Sequence, residues 1–342
     1  MAEEGGAMEV WTVGDEDGQL TTQLARLLAV EVRAGLPDSP GDHVIVVASR
    51  PVPDEALASA RVIVLIEPEL AEKDRVTRLL AGQSQPRLEV VANVSAGIRA
   101  ERTWSLLLSM NARIPQATRA LATQSVSHSN FVTGHPSGGS WLDLERPVSL
   151  FGSTIGFVGF TPMGWAMARL AMHSGMHPFY WAEPGSQATQ VEVEGAALRS
   201  GATEVGFDDL LAAADVVVLD VCYSDSTIRL IDSPELSLMR PDAMLVNTAH
   251  GRAIDEGALL QALRDGRLGG VALDRFNYEP LPGDSPLRGF ERVLLTPGIA
   301  VPTQAEIIER TAAEVASILS SFTDAPLASR RVRHVRRRRV VP

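Results

Sequence analysis

A histidine stands where a buried strand gives way to a turn. In "VNTAHGRAIDE" (246–256) an apolar run closes on Thr248 and Ala249, His250 follows, Gly251 makes a tight turn and Asp255 opens a helix. An imidazole titrates near neutral pH, and strand ends are where doubly wound folds place their chemistry. Glu279, in "NYEP", follows another such run. A carboxylate beside His250 would lift its pKa above about 6.5 and let the imidazolium donate a proton. The third candidate is "VGFTPMG" (158–164), a glycine turn between a strand and a helix. It reads G-x-T-x-x-G. Gly159 makes the turn, Gly164 allows close helix–strand packing, and Thr161 replaces the glycine that lets backbone approach a pyrophosphate. The Thr161 hydroxyl would contact phosphate or cap the helix. Pro162 suits the first helical position, with Met163 after it.

The elements that must position these residues follow from periodicity. "EVWTVG", "VIVVA" (44–48), "RVIVLI" (61–66) and "LEVVANV" (88–94) predict strands, and "LTTQLARLLAVEV" a helix between them. A second series runs "TIGFVGF", "PMGWAMARLAMHSG", "HPFYWAE", "FDDLLAAA", "DVVVLDV", "AMLVNTA", "DEGALLQALRDG", "LGGVALD" and "RVLLTPG". Such alternation predicts parallel α/β structure. Residues 100–125 predict a long helix bent or broken near Pro115, and "SNFVTGHPSGGSW" a loop crossing between domains. The last pattern, "PTQAEIIERTAAEVASILSSF", predicts a helix long enough to return to the first domain.

The 342 residues suffice for two domains, and a 45% hydrophobic content supports a large core. One cysteine, Cys222, excludes a disulfide framework and fits a reducing compartment. No apolar run reaches the roughly 18 residues that span a membrane, and the acidic N-terminus is unlike a signal peptide. Met8 is an alternative start. The expectation is a soluble cytoplasmic protein without a metal site. Net charge is −11; the tail "RRVRHVRRRRVVP" carries seven arginines, leaving the rest near −18. So acidic a body repels nucleic acid, and the tail reads as a solvated, disordered terminus.

From about residue 150 to 302 the chain resembles the D-isomer-specific 2-hydroxyacid dehydrogenases, the group that includes phosphoglycerate dehydrogenase and glyoxylate/hydroxypyruvate reductase. The matching pieces are "LFGSTIGFVGFTPMGWAMARLAMHSGM", "ADVVVLDVCYSDSTIRLID", "LMRPDAMLVNTAHGRAIDEGALLQALRDGRLGGVALDRFNYEPLPGDSPL" and "RVLLTPGIA". The resemblance implies an α/β protein of two Rossmann-like domains. Residues 101–302 would form a doubly wound, parallel-sheet NAD(P)-binding domain. Residues 1–100 with 303–330 would form a smaller, flavodoxin-like substrate domain, with 331–342 a basic tail. It also implies NAD as cofactor, with NADP less favoured, and hydride transfer to or from a small 2-hydroxy or 2-keto acid. A homodimer would form through helix 104–121 and loop 125–145.

The family pattern also assigns residues, and this chain departs from it. His250 replaces the family's substrate-gripping arginine, and Gly298 its proton-donating histidine; Glu279 matches the glutamate that hydrogen-bonds that histidine. The resemblance places Gly159, Thr161, Pro162, Met163, Gly164, Cys222, Thr227, Thr248 and Ala249 along the cofactor. Glu183 stands one residue beyond the usual ribose-binding acid, whose place Ala182 takes. Asp274 matches the aspartate that holds the nicotinamide carboxamide; a strand-end cap is its bland alternative. Cys222, matching a proline, reads as a small buried filler. Ser95, Ala96 and Gly97 lie where the substrate loop is compressed, and Arg275 offers a cation where the family has a small apolar residue. The leading expectation is an oxidoreductase with a rebuilt proton-transfer site. The alternatives are a nucleotide-binding homologue without turnover, as a regulator or partner subunit, and a lyase or cyclase reusing the cleft.

Overall fold

Strands made of unbroken β-branched runs can only be buried on both faces, and the first part of the chain is built on them. The computed structural model describes residues 9–28, 30–37, 43–48, 52–58, 60–66, 70–81, 86–91, 93–123, 148–183 and 190–320. The predicted crossing loop and the basic tail lie outside the described residues. The chain divides into two compact units: residues up to Val94 together with those from Thr303 onward, and Ser95–Pro302.

In the first unit β1 (Glu9–Val13), β2 (Val32–Ala34), β3 (His43–Val47), β4 (Val62–Ile66) and β5 (Arg87–Val91) form one parallel sheet in the order β2-β1-β3-β4-β5. This 2-1-3-4-5 order is that of flavodoxin-like folds. Alternate residues serve opposite faces. Val44, Val46, Val62 and Val64 pack on α1 (Gln19–Leu28) and on the C-terminal helix Gln304–Ser320, whereas Ile45, Ile63 and Leu65 pack with Leu57 of α2 (Asp54–Ala58), Val76 of α3 (Leu70–Leu79) and Leu80 just beyond it. The pattern "LTTQLARLLAVEV" overruns the helix it predicts: α1 ends at Leu28, and Val32 pairs with Val10 as an edge strand. Its β-branched Val30 and Val32 favour extended backbone.

The second unit opens with α4 (Val94–Asn111) and α5 (Ile114–Thr123), two helices where the periodicity predicts one bent helix. Arg113 takes a left-handed φ of 54° at the joint, and Pro115 falls in the first turn of the new helix, where its missing N–H costs nothing. Next come β6 (Thr154–Val158), α6 (Pro162–His173), β7 (His177–Trp181), α7 (Gln190–Ser200), β8 (Thr203–Glu204), α8 (Phe207–Ala213) and β9 (Val216–Leu219). Then follow α9 (Ser233–Leu238), β10 (Met244–Asn247), α10 (Glu256–Arg264), β11 (Gly270–Leu273) and β12 (Val293–Leu295). The seven strands are parallel, in the order β12-β11-β10-β9-β6-β7-β8. Strand order reverses between β6 and β9, so the crevice at their carboxyl ends is the topological switch point. Among the described residues no helix is long and apolar enough to cross a membrane.

Candidate functional site

At the switch point the glycine turn meets the end of β9, and a carboxylate fills the junction. Gly159 has φ 81°, and a Cβ there would collide with the Asp220 carbonyl; a Cβ at Gly164 would collide with Asp220 Oδ2. Both glycines thus admit the segment that carries Asp220. That side chain is buried, with 2% exposure. Its Oδ2 accepts the Thr161 N–H at 2.7 Å and the Gly164 N–H at 2.8 Å, and its Oδ1 accepts the Thr161 hydroxyl at 2.7 Å. Thr161 caps α6, taking the Met163 N–H at 3.3 Å, and Pro162 has no N–H to give. The Trp165 N–H returns to the Thr161 carbonyl. No donor of the first turn of α6 is left over. Burial pushes the Asp220 carboxyl from 3.8 up to about 6, against the opposing pull of Thr161, Arg99 and Gly164. Of the two expected roles of the Thr161 hydroxyl, phosphate contact or helix cap, the cap is formed, with a bond to Asp220 beside it. Asp220 itself is missing from the sequence-derived candidates. Its signal was an acid directly following a wholly apolar strand, "VVVLD", opposite a glycine turn.

His250 occupies extended backbone at the end of β10, ahead of a single 3-10 turn at Gly251–Ala253; Asp255 then caps α10 through the Ala258 N–H. Gly251 is required by contact, since a Cβ there would strike the Phe276 backbone. The imidazole Nε2 lies 3.2 Å from Thr227 Oγ1, and the ring meets Tyr223 edge-on at 5.3 Å. The Thr227 hydroxyl gives its one proton to the Cys222 carbonyl at 2.7 Å, the Ser224 carbonyl lying farther at 3.0 Å, which leaves its oxygen to accept from Nε2. The proton is assigned to Nε2 on this network, and Nδ1 is a buried atom without a hydrogen-bond partner. Burial lowers the His250 pKa, opposed by the Cys222 carbonyl and Glu183, while Arg252 lowers it further. This corrects the expected imidazolium. Glu279 supplies no charge to His250; the acid that acts on it is Glu183, whose Oε1 accepts from Ser226 at 2.9 Å and Ser224 at 3.4 Å. Cys222 is exposed rather than a buried filler. Its thiol is pushed up by partial desolvation, then by Asp220 and Glu183, with Arg99 opposing.

Asp274 is buried at the end of β11 with both oxygens engaged. Oδ1 takes the Thr296 hydroxyl at 2.5 Å and the Ile299 N–H at 2.8 Å; Oδ2 takes the Ala300 N–H at 2.8 Å. Arg102 Nη1 reaches the Ile299 and Val301 carbonyls, each at 3.1 Å. Together they shape the 296–301 segment, in which Gly298 has φ 74°. Arg275 pairs with Glu279 at 3.3 Å, and Glu279 also accepts the Phe276 N–H at 2.9 Å. A Cβ on Gly298 would lie 3.5 Å from Arg275 Nη1. The guanidinium thus lies at ordinary contact distance from where a side chain at 298 would begin.

The other candidates are dispersed. Ser95, Ala96 and Gly97 form the first turn of α4 rather than a loop, and Ala96 is buried in the core with Phe157 and Met167. Ala96 is withdrawn as a substrate contact. Thr248 is buried, with its hydroxyl 2.9 Å from that of Thr103, and the Ala249 N–H goes to Asn247 Oδ1. Among the described residues no cluster of three or more His, Cys, Asp or Glu could hold a metal ion.

The model of the D-isomer specific 2-hydroxyacid dehydrogenase, NAD binding domain, matches residues 105–300, more than half of the chain. The chain belongs to that family. It is 31% identical over 265 residues to a glyoxylate reductase of Aeropyrum pernix, covering 68% of this chain and 72% of that one. To an (S)-sulfolactate dehydrogenase of Chromohalobacter salexigens it is 40% identical over 154 residues, covering 44% and 46%. An NAD-complexed D-isomer specific 2-hydroxyacid dehydrogenase from Lactobacillus delbrueckii ssp. bulgaricus shares the fold, with a TM-score of 0.51 at 18% identity over 93% of this chain and 99% of that one. The family's nucleotide meets a mismatch here. The first turn of α6, where a dinucleotide places its diphosphate, has its donors taken by Asp220 and Thr161. An ionised Asp220 does not fit a diphosphate at that place.

Proposed function

We propose that this chain is an oxidoreductase acting on the CH–OH group of a small anionic 2-hydroxy acid, or on the matching 2-oxo acid, with NAD favoured over NADP. The observation that carries the reading is Arg275 on Glu279 beside Gly298. A half-exposed guanidinium is a two-pronged anion receptor. It would take over the carboxylate grip that the family assigns to the arginine replaced by His250. His250 is then the proton group, and its lowered pKa makes it a base at neutral pH. A neutral imidazole is the form that accepts a hydroxyl proton in the direction of oxidation. The nicotinamide nucleotide of the family would supply the hydride chemistry when bound. The preference for NAD rests on Glu183, an acid that disfavours a 2′-phosphate.

The test is an initial-rate survey of NAD-coupled oxidation of glycolate, glycerate, lactate and sulfolactate near neutral pH, with Arg275→Gln alongside. We expect turnover of at least one acid, and a KM about tenfold or more higher in the variant with a smaller change in kcat. An unchanged KM would remove Arg275 from the site.

A second reading, a nucleotide-binding homologue without turnover, is favoured by one observation: the cap that Asp220 and Thr161 form over α6. We also infer a cytoplasmic homodimer. Leu108, Ile114 and Leu121 are exposed along α4 and α5, more apolar surface than the fold uses there.

A further inference from the structure

We propose that Asp220 is a resident anion that excludes a dinucleotide's diphosphate from the N-terminus of α6, so that nucleotide binding by this chain requires the carboxylate to be neutralised or displaced. The proposal deepens the oxidoreductase reading and rests on it for the identity of the ligand.

Three observations carry it, all geometric. Asp220 takes the backbone N–H groups of Thr161 and Gly164, and Thr161 takes that of Met163. The remaining first-turn residue is a proline. The glycines of the turn are filled from the Asp220 side, since a Cβ at either 159 or 164 would collide with Asp220 itself. The turn therefore has the shape of an anion cradle and already holds an anion. A diphosphate brought to the same place would compete for the same donors and would meet a like charge in a poorly solvated setting, where repulsion is strong.

The charged groups around Asp220 decide how it responds to pH. Arg99, on α4, faces it and favours the carboxylate, as does the α6 N-terminus; Cys222, on its own segment, feels its charge. Glu183, beyond β7, acts on Cys222 and on His250 and adds negative charge to the same crevice. Burial nevertheless holds the Asp220 carboxyl at about 6, so it is ionised near pH 8 and largely neutral near pH 5. The dinucleotide phosphates keep their charge over that range. His250 is a second titratable group in the crevice, and a substitution at 220 separates the two.

The experiment is calorimetric titration of the full chain with NAD+ near pH 8 and near pH 5, for the wild type, Asp220→Asn and Asp220→Ser. The Asn variant keeps an acceptor for the two N–H groups while removing the charge. The Ser variant shortens the side chain and guards against a residual block by the amide. For the wild type we expect binding about tenfold or more tighter at the acid pH. For Asp220→Asn or Asp220→Ser we expect, near pH 8, an affinity equal to or above that of the acid wild type, with the pH dependence gone. Wild-type affinity equal at the two pH values would overturn the proposal. So would variants that melt like the wild type yet bind NAD+ no better near pH 8, or a pH dependence undiminished in both, which would belong to His250. The oxidoreductase reading fails by a different outcome: NAD+ bound tightly by the variants, with no hydroxy acid oxidised.

Discussion

A histidine and an arginine carry the proposed site. His250 follows the end of β10, and the Arg275 guanidinium lies on Glu279 near Gly298. The proposed roles set expectations for substitutions. His250→Ala should lower kcat for hydroxy-acid oxidation by roughly 10²–10⁴-fold with NAD+ affinity nearly unchanged, measured by initial rates and titration. In the wild type the oxidation rate should rise with pH through a midpoint below the ordinary histidine value, since burial lowers that pKa and the base is the neutral ring. A midpoint above it would restore the imidazolium. Installing the pair that the resemblance implies, His250→Arg with Gly298→His, should not give a good 2-oxo acid reductase. Histidine at φ 74° is strained by about 1–2 kcal/mol, and its side chain would start beside Arg275. Adding Arg275→Ala should raise the glyoxylate reduction rate of that double variant; no change would show that Arg275 is not the obstacle. The sequence made His250 legible as a strand-end residue because turn chemistry is local. Its partner was not legible. Glu279 and Glu183 are both acids past strand ends, and only the fold brings Glu183, by way of the 222–227 turn, to act on the imidazole.

At the scale of elements, the site depends on how strand ends hold the segments that follow them. Asp274 is the clearest case, because its carboxylate closes three donors of the 296–300 segment. Asp274→Ala should lower stability by about 2–5 kcal/mol, for a buried charged acceptor lost from three donors. A shift of the urea midpoint checks this, and an unchanged midpoint would show the segment to be held by Arg102 alone. Most strands of the second unit fell where the apolar runs placed them. Buried parallel strands carry that signal within four or five residues. The short elements α9 and β8 were not legible. Six residues such as "SPELSL" become helical because Asp232 and Glu235 form a capping box, and two-residue β8 exists only through its pairing with β7. The start of α4 was misread for a related reason. Asn93 takes φ 63° and turns the chain directly from β5 into the helix, leaving no loop for Ser95–Gly97.

For the whole molecule, the two parallel sheets were legible in the alternation of strand and helix patterns, whereas the filling of the switch point was not. Two segments 56 residues apart meet there, and no local pattern announces that a carboxylate from one caps the helix of the other. That capping has a cost that depends on pH. The folded Asp220 pKa, about 6, exceeds its ordinary 3.8, so the native state binds the extra proton. Its contribution is fully present below about pH 4 and is lost as pH rises through 6. Asp220→Asn should therefore raise Tm relative to the wild type near pH 8 and lose that advantage near pH 4; a pH-independent difference would contradict the raised pKa. Light scattering should give twice the 36.7 kDa chain mass at micromolar concentration, and a monomer would remove the α4–α5 interface.

The oxidoreductase reading is tested most directly in a background where nucleotide access is not limiting. The measurement is the initial rate of NAD+ reduction by 2-hydroxy acids near pH 8, comparing Asp220→Asn with Asp220→Asn, Arg275→Gln. Turnover of at least one anionic 2-hydroxy acid is expected from the single variant, with KM about tenfold or more higher in the double variant. Absence of turnover from an Asp220→Asn protein that binds NAD+ tightly would contradict the reading and leave a nucleotide-binding homologue without dehydrogenase chemistry.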